Sequence, residues 1–208
     1  MDTFDLIAVE RLRLAGALEP LDHDQWESAS LCAGWSVHVV AAHLNVPWTM
    51  SISKMLVAMT RSLSIAGGFD RAASDVAGRL DPAACVRGLR EHAGSHFTPP
   101  GSGPEAPLTD VLVHGSDMLV PLHREVDPAP EALATSLGWL AQGGAQGFVA
   151  RGRVDGLVFE AGDLDRSFGT GTAVVRGPAL ALCGVLCGRA ALMDRLTGDG
   201  VPVLAARL

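Results

Sequence analysis

Apolar residues at Phe4, Ile7, Leu12 or Leu14, and Leu18 recur at helical spacing with charges between them. The spacing predicts an amphipathic helix over Thr3 to Leu18, ended by Pro20. Leu21 to Gly34 carries no such period and is expected to be a linker. Ser36 is a suitable N-cap for a second helix with Val37, Val40, Ala41 and Leu44 on its buried face. Pro47 donates no hydrogen bond, so the carbonyl of His43 should lose its normal partner and the helix should kink or break there. The apolar run Met50 to Met59 is expected to resume it, with Gly67-Gly68 marking a loop.

Phe69 to Leu80 and Pro82 to His96 read as two further helices, the second capped by Asp81. Phe97 to Pro107 is rich in Pro, Gly and Ser and is predicted as loop. Leu108 to Leu122 follows as a helix with an apolar stripe (Leu108, Val111, Leu112, Met118, Leu119) beside a polar one (Asp110, His114, Asp117). Glu131 to Gln146 completes the helical part. From Phe148 the pattern changes: Val154, Leu157, Phe159 and Ala161 alternate imperfectly with period two, and Thr172 to Val175 is a second strand-like run. A helix from Pro178 to about Gly188 and a short last element after the Gly198-Asp199-Gly200 turn end the chain. The expected fold class is therefore α+β and mainly α, a helical part over 1–147 and a small α/β part over 148–208.

Composition narrows the partners. The chain has 208 residues, 48% of them hydrophobic and 19% charged, in the range of globular proteins. A net charge of −7 with scattered arginines gives no basic stripe for phosphates, which argues against nucleic acid and anionic lipid surfaces. Asp2, Asp5 and Glu10 precede any apolar run, so no signal peptide is expected. Ala179 to Cys187 is far short of the ~20 residues a membrane helix needs. A cytoplasmic location follows as an expectation, with the four cysteines as thiols. Cys183 and Cys187 are read as small buried hydrophobes. Lys54 is the only lysine among the 16 basic residues, a bias expected of a GC-rich genome.

The chemistry concentrates on three side chains. Asp110 and His114 stand four apart on one helix face, and His43 lies on a separate helix among apolar neighbours. Two imidazoles and a carboxylate make a zinc triad that leaves a fourth tetrahedral position open. The spacing is equally that of a helix ion pair, and a core hydrogen bond would account for His43. Asp117 is placed to orient a ligand or an arginine. His38 should face elsewhere, and His92, His96 and His123 are read as surface residues. Cys32 is either a reactive thiol at a pocket mouth or an ordinary buried cysteine. Gly169-Thr170-Gly171-Thr172 precedes a strand instead of a phosphate-cradling helix, so it is read as a turn.

These residues also carry a resemblance. Gly34-Trp35-Ser36-Val37 through Ala42-His43-Leu44, Val113-His114-Gly115-Ser116-Asp117 with Pro121-Leu122, Arg176-Gly177-Pro178-Ala179, Gly188-Arg189 and Gly198-Asp199-Gly200-Val201 resemble the mycothiol-dependent maleylpyruvate isomerase family of DinB-like metalloenzymes. The resemblance implies a DinB-like four-helix bundle holding a divalent metal, usually zinc, with a small C-terminal α/β domain closing the pocket. It assigns His43 and His114 as metal ligands and puts Asp110 where the family has Glu. Being one methylene shorter, Asp110 is expected to reach the metal only after a helix shift or through water. Arg71 and Arg189 fall where the family places arginines that hold anionic substrate, a role suited to the guanidinium fork.

The function these readings imply is activation of a low-molecular-weight thiol, mycothiol by resemblance, for isomerisation or S-transfer on a small electrophile. Two alternatives stand beside it: a non-catalytic DinB-like binding module that has weakened or lost the metal, and a metal-activated hydrolase. The sequence does not identify the electrophile or the oligomeric state.

Overall fold

The computed structural model describes residues 1–49, 73–145 and 147–208. Helix α1 (Thr3–Leu18) begins with a capping box in which Asp2 and Asp5 each accept a backbone N–H of the other. It buries Leu6, Ile7, Leu14 and Leu18. A short helix, α2 (His23–Glu27), lies inside the expected linker. Asp22 and Gln25 form its capping box, a local signal that outweighs the lack of an apolar period.

Helix α3 (Val37–His43) is capped by the Ser36 hydroxyl and stops at the residue the proline rule indicated. Helix α4 (Val46–Thr49) restarts around Pro47. The expected continuation from Met50 to Met59, the Gly67-Gly68 loop and Arg71 lie outside the described residues, and residues 73–77 are helical. Helix α5 (Pro82–Glu91) starts on the Asp81 cap with proline in its first turn and ends before His92, shorter than the predicted span to His96.

Helix α6 (Glu105–Leu119) starts three residues earlier than predicted. Pro107 sits within its first turn, where the missing N–H has no intrahelical partner to lose, so a proline that reads as loop is tolerated. Helix α7 (Pro130–Ala141) ends short of Gln146, near Gly143 and Gly144. The α1 helix packs against α5, α6 and α7, while α3 packs against α5 and α6.

The C-terminal part has three strands: β1 (Leu157–Ala161), β2 (Arg166–Gly169) and β3 (Ala173–Gly177), in the order β2-β1-β3. β1 runs antiparallel to β2 and parallel to β3. β2 is largely exposed and polar, which is why hydrophobic alternation did not reveal it. Helix α8 (Ala179–Leu186) follows, then a 3-10 segment (Ala190–Arg195) and helix α9 (Val201–Ala205). The fold is α+β and mainly α, as the sequence pattern indicated.

Two apolar clusters hold these parts together. One joins Ile7 and Leu112 of the helical part to Leu137, Phe159, Val175 and Leu182, so the sheet and α8 share a core with α1, α6 and α7. The other packs Leu14 and Leu18 with Val40, Leu89, Val111 and Met118. Asp110, His114 and Asp117 lie on α6, which like α1 contributes to both clusters.

Candidate metal centre

Because α3 ends at His43 and packs on α6, its imidazole arrives beside the Asp110–His114 pair. His43 Nε2 is 3.8 Å from Asp110 Oδ1, and His114 Nε2 is 3.4 Å from the same oxygen. All three donor atoms lie within 4.8 Å of one another. Ligand atoms about 2.0–2.2 Å from a tetrahedral ion are roughly 3.3–3.6 Å apart. The 3.4 Å separation lies in that range and the 3.8 Å one just above it, so a small inward adjustment would let the group hold a divalent cation. The shorter Asp110 side chain brings its Oδ1 near both imidazoles. It is also the open edge of the group, its side chain 32% exposed against 14% for His43 and 11% for His114.

The ring of Trp35 lies 5.3 Å from that of His43 and 6.3 Å from that of His114, covering both imidazoles. Trp35 stands in the Gly34-Trp35-Ser36-Val37 run, where no local pattern marks it as a neighbour of the two histidines. The two imidazole rings meet edge to face at 4.9 Å.

Behind His114 lies a second layer. Its Nδ1 is 2.9 Å from Asp117 Oδ2, and Asp117 is fully buried. Arg189 Nε donates to both Asp117 oxygens at 3.0 and 3.2 Å, and Nη2 donates to Oδ2 at 2.6 Å. Arg189 Nη2 also lies 3.2 Å from Cys32 Sγ, and Nη1 donates to the Cys187 carbonyl at 2.8 Å. Gly188, at φ +90°, makes the turn that sends Arg189 back towards α6. Cys32 completes the layer: its thiol donates to Asp117 Oδ2 at 3.0 Å and lies 3.8 Å from His114 Nδ1. The hydrogen bond from Leu31 N–H to the Asp117 carbonyl holds this loop against α6.

Charge follows the geometry. Burial works to raise the Asp110 carboxyl, but His114, His43 and Arg189 outweigh it and hold the group below the usual carboxylate range. For His114, burial acts downward, yet Asp110 and its bonds to Asp117 and Cys32 push the imidazole up to about 10. Burial would raise Asp117 too, but His114 and Arg189 hold it down at about 2. Arg189 is raised by Asp117 despite the desolvation that opposes it. The site is thus an alternating array of acids and bases around His114.

The structure brings together five of the residues singled out from sequence: His43, Asp110, His114, Asp117 and Arg189. Arg71 lies outside the described residues. Arg189 spends four of its five N–H donors on Asp117, Cys32 and Cys187. Cys32 is half-buried in this polar layer instead of being an ordinary core cysteine. No spacing rule links residue 32 to residue 117, so only the tertiary fold reveals the pair. His38 does face elsewhere, with Nε2 2.7 Å from the Leu80 carbonyl. His92 is half-buried and stacks on Trp48, while His96 and His123 are exposed.

Comparison with known proteins follows the same lines. No family model matches the chain, and no curated protein sequence does. Two solved structures match it along its length. One is the crystal structure of a mutant of the mycothiol-dependent maleylpyruvate isomerase in which a histidine is replaced by alanine: 21% identity, 96% of both chains covered, TM-score 0.53. The other is a crystal structure of the mycothiol-dependent maleylpyruvate isomerase, again 21% identical over 96% of both chains, with TM-score 0.49. The first likeness shows that this chain has the fold of that isomerase.

Proposed function

We propose that this chain is a metal-dependent enzyme that activates a low-molecular-weight thiol for attack on a small electrophile. The observation that carries the reading is the convergence of His43 Nε2, Asp110 Oδ1 and His114 Nε2 from two helices onto one point with an open edge. The fold of a mycothiol-dependent isomerase supports isomerisation as the reaction class and mycothiol as the thiol, with S-transfer as the simpler outcome of the same addition.

Bound there, zinc or another divalent ion would supply a Lewis acid whose open position lowers the pKa of a coordinated thiol. The protein's own contributions are separable from that. Asp117 fixes the His114 ring and turns Nε2 towards Asp110. Trp35 covers the imidazoles, which keeps solvent off the ligands while Asp110 stays accessible. Arg71, from its place in the sequence, and Arg189, from its place beside the site, are proposed to favour an anionic substrate.

The same reading places the protein in the cytoplasm of a GC-rich, actinobacterial type of cell, where mycothiol is used, with no nucleic-acid or membrane partner. It also keeps 148–208 as the part that closes the pocket over the helical 1–147. Among the described residues no helix is long and apolar enough to cross a membrane.

The test begins with metal analysis of protein purified without chelator. About one divalent ion per chain is expected, and none in His114→Ala. Isomerisation of maleylpyruvate is then assayed with mycothiol, with other thiols and with none. Turnover only with thiol supports the proposal. Metal without thiol dependence would indicate the hydrolase, and an unmutated chain without metal would leave a binding module.

A further inference from the structure

His114 belongs to two possible ligand sets at once. Through Nε2 it joins His43 and Asp110; through Nδ1 it joins Cys32 Sγ and Asp117 Oδ2, and the donor atoms of each set lie within 4.8 Å of one another. By ligand chemistry alone the second set is the stronger trap for zinc-like ions. It offers a thiolate and a carboxylate with an imidazole, two negative charges against the single one of Asp110.

A cation is already there. Arg189 Nη2 lies 2.6 Å from Asp117 Oδ2 and 3.2 Å from Cys32 Sγ, Nε bridges both Asp117 oxygens, and Nη1 is tied to the Cys187 carbonyl. A guanidinium is permanently charged and has no lone pair with which to ligate. It balances the two acidic groups and repels a second cation from them. It also holds Asp117 as the acceptor for His114 Nδ1, which leaves Nε2 as the nitrogen available to an ion.

We propose that Arg189 decides where the metal binds: by standing in for a cation between Cys32 and Asp117, it confines a divalent ion to the His43–Asp110–His114 side. This rests on the metal reading above and gives Arg189 a positioning role towards the ion, distinct from contact with substrate. Without Arg189 the ion would move to the Nδ1 side, and Cys32 would release its proton to solvent as its sulfur became a ligand.

Cobalt(II) titration of the full chain tests this, because sulfur ligation adds a strong near-ultraviolet charge-transfer band that nitrogen and oxygen ligands do not give. The unmutated protein should bind Co2+ without that band, and Cys32→Ser should bind it with affinity unchanged within about twofold. Arg189→Met and Arg189→Gln should acquire the band, and adding Cys32→Ser to either should remove it. Arg189→Lys, which keeps the charge and is the variant most certain to fold, should lack the band.

A sulfur band in the unmutated protein or in Arg189→Lys would overturn the proposal while leaving a metal site in place. So would Co2+ binding in Arg189→Met without the band, or a tenfold loss of affinity in Cys32→Ser. No Co2+ in the unmutated chain but a sulfur band in the Arg189 variants would show that Arg189 only blocks the Cys32–Asp117 side, overturning both the confinement of an ion to the His43–Asp110–His114 side and the proposed function. No binding in any of them would overturn both.

Discussion

Asp117 is the residue on which the centre turns, since it is fully buried and touches an imidazole, a guanidinium and a thiol at once. Asp117→Asn keeps the shape but removes the charge that Arg189 is built against. Breaking a buried pair in this way costs about 3–5 kcal/mol, and losing the partner of a ligating histidine weakens metal binding about 10–100-fold. Both effects are expected together, read by thermal melting of chelator-treated protein and by competition with a chromophoric chelator. Asp110→Asn, in contrast, should lose metal affinity by removing a ligand, with a smaller change in the melting of the chelated protein, because Asp110 lies at the open edge. If Asp110→Asn destabilises the chelated chain as much as Asp117→Asn does, the two carboxylates have been assigned the wrong roles.

The cysteines make a second test at this scale. Burial pushes the thiols of Cys85 and Cys183 up to about 12 and that of Cys187 higher still, so none of the three is nucleophilic near neutrality. Cys32 is half-buried on a loop against α6. Native alkylation with iodoacetamide at pH 8, followed by peptide mass spectrometry, is expected to modify Cys32 first. Labelling of Cys85 or Cys183 ahead of Cys32 would contradict the packing described.

At the scale of elements, the junction that delivers His43 is fastened by Asn45. Its Nδ2 donates to the carbonyls of Ala41 and Cys85 at 2.9 and 3.2 Å, and its Oδ1 accepts from Trp48 Nε1 at 3.0 Å, tying α3 and α4 to α5. A Cβ on Gly88 would overlap Asn45 Oδ1, so α5 carries glycine mid-helix although alanine would gain up to about 1 kcal/mol in propensity. Gly88→Ala is therefore expected to destabilise the protein, by about 1–3 kcal/mol, the cost of disrupting buried hydrogen bonds. Combined with Asn45→Ala it should cost less than the sum of the two single changes. A stabilising Gly88→Ala, or strict additivity by denaturant unfolding, would show that the contact does not constrain the junction.

The same junction shows how much of the fold could be read from sequence. Pro47 announced where α3 stops, and Asp81 and Ser36 announced where helices start, because caps and prolines act within one turn. The α2 helix and the β2 strand were missed for the opposite reason: neither buries a periodic apolar face that would mark it. The candidate ligands were legible because the four-residue spacing of Asp110 and His114 is local. For Cys32 the sequence left a reactive thiol and an ordinary buried cysteine both open, because its partners stand 82 and 85 positions away.

For the molecule as a whole, the C-terminal part both completes the core and supplies the buried cation of the site. Phe159, Val175 and Leu182 pack in one cluster with Ile7, Leu112 and Leu137, and Arg189 gives Asp117 its counter-charge. Removing 148–208 would expose these apolar faces and leave a fully buried carboxylate without its cation, two independent costs. A fragment of residues 1–147 is therefore expected to retain helical far-ultraviolet circular dichroism but lose the near-ultraviolet signal of Trp26, Trp35, Trp48 and Trp139. It should bind a hydrophobic dye and take up no stoichiometric metal. Co-expression with residues 148–208 as a second chain should restore both the near-ultraviolet signal and the metal, since the shared apolar cluster can then close. A fragment 1–147 that melts cooperatively within a few degrees of the whole chain would instead show that the helical part folds by itself and that its shared cluster contributes little.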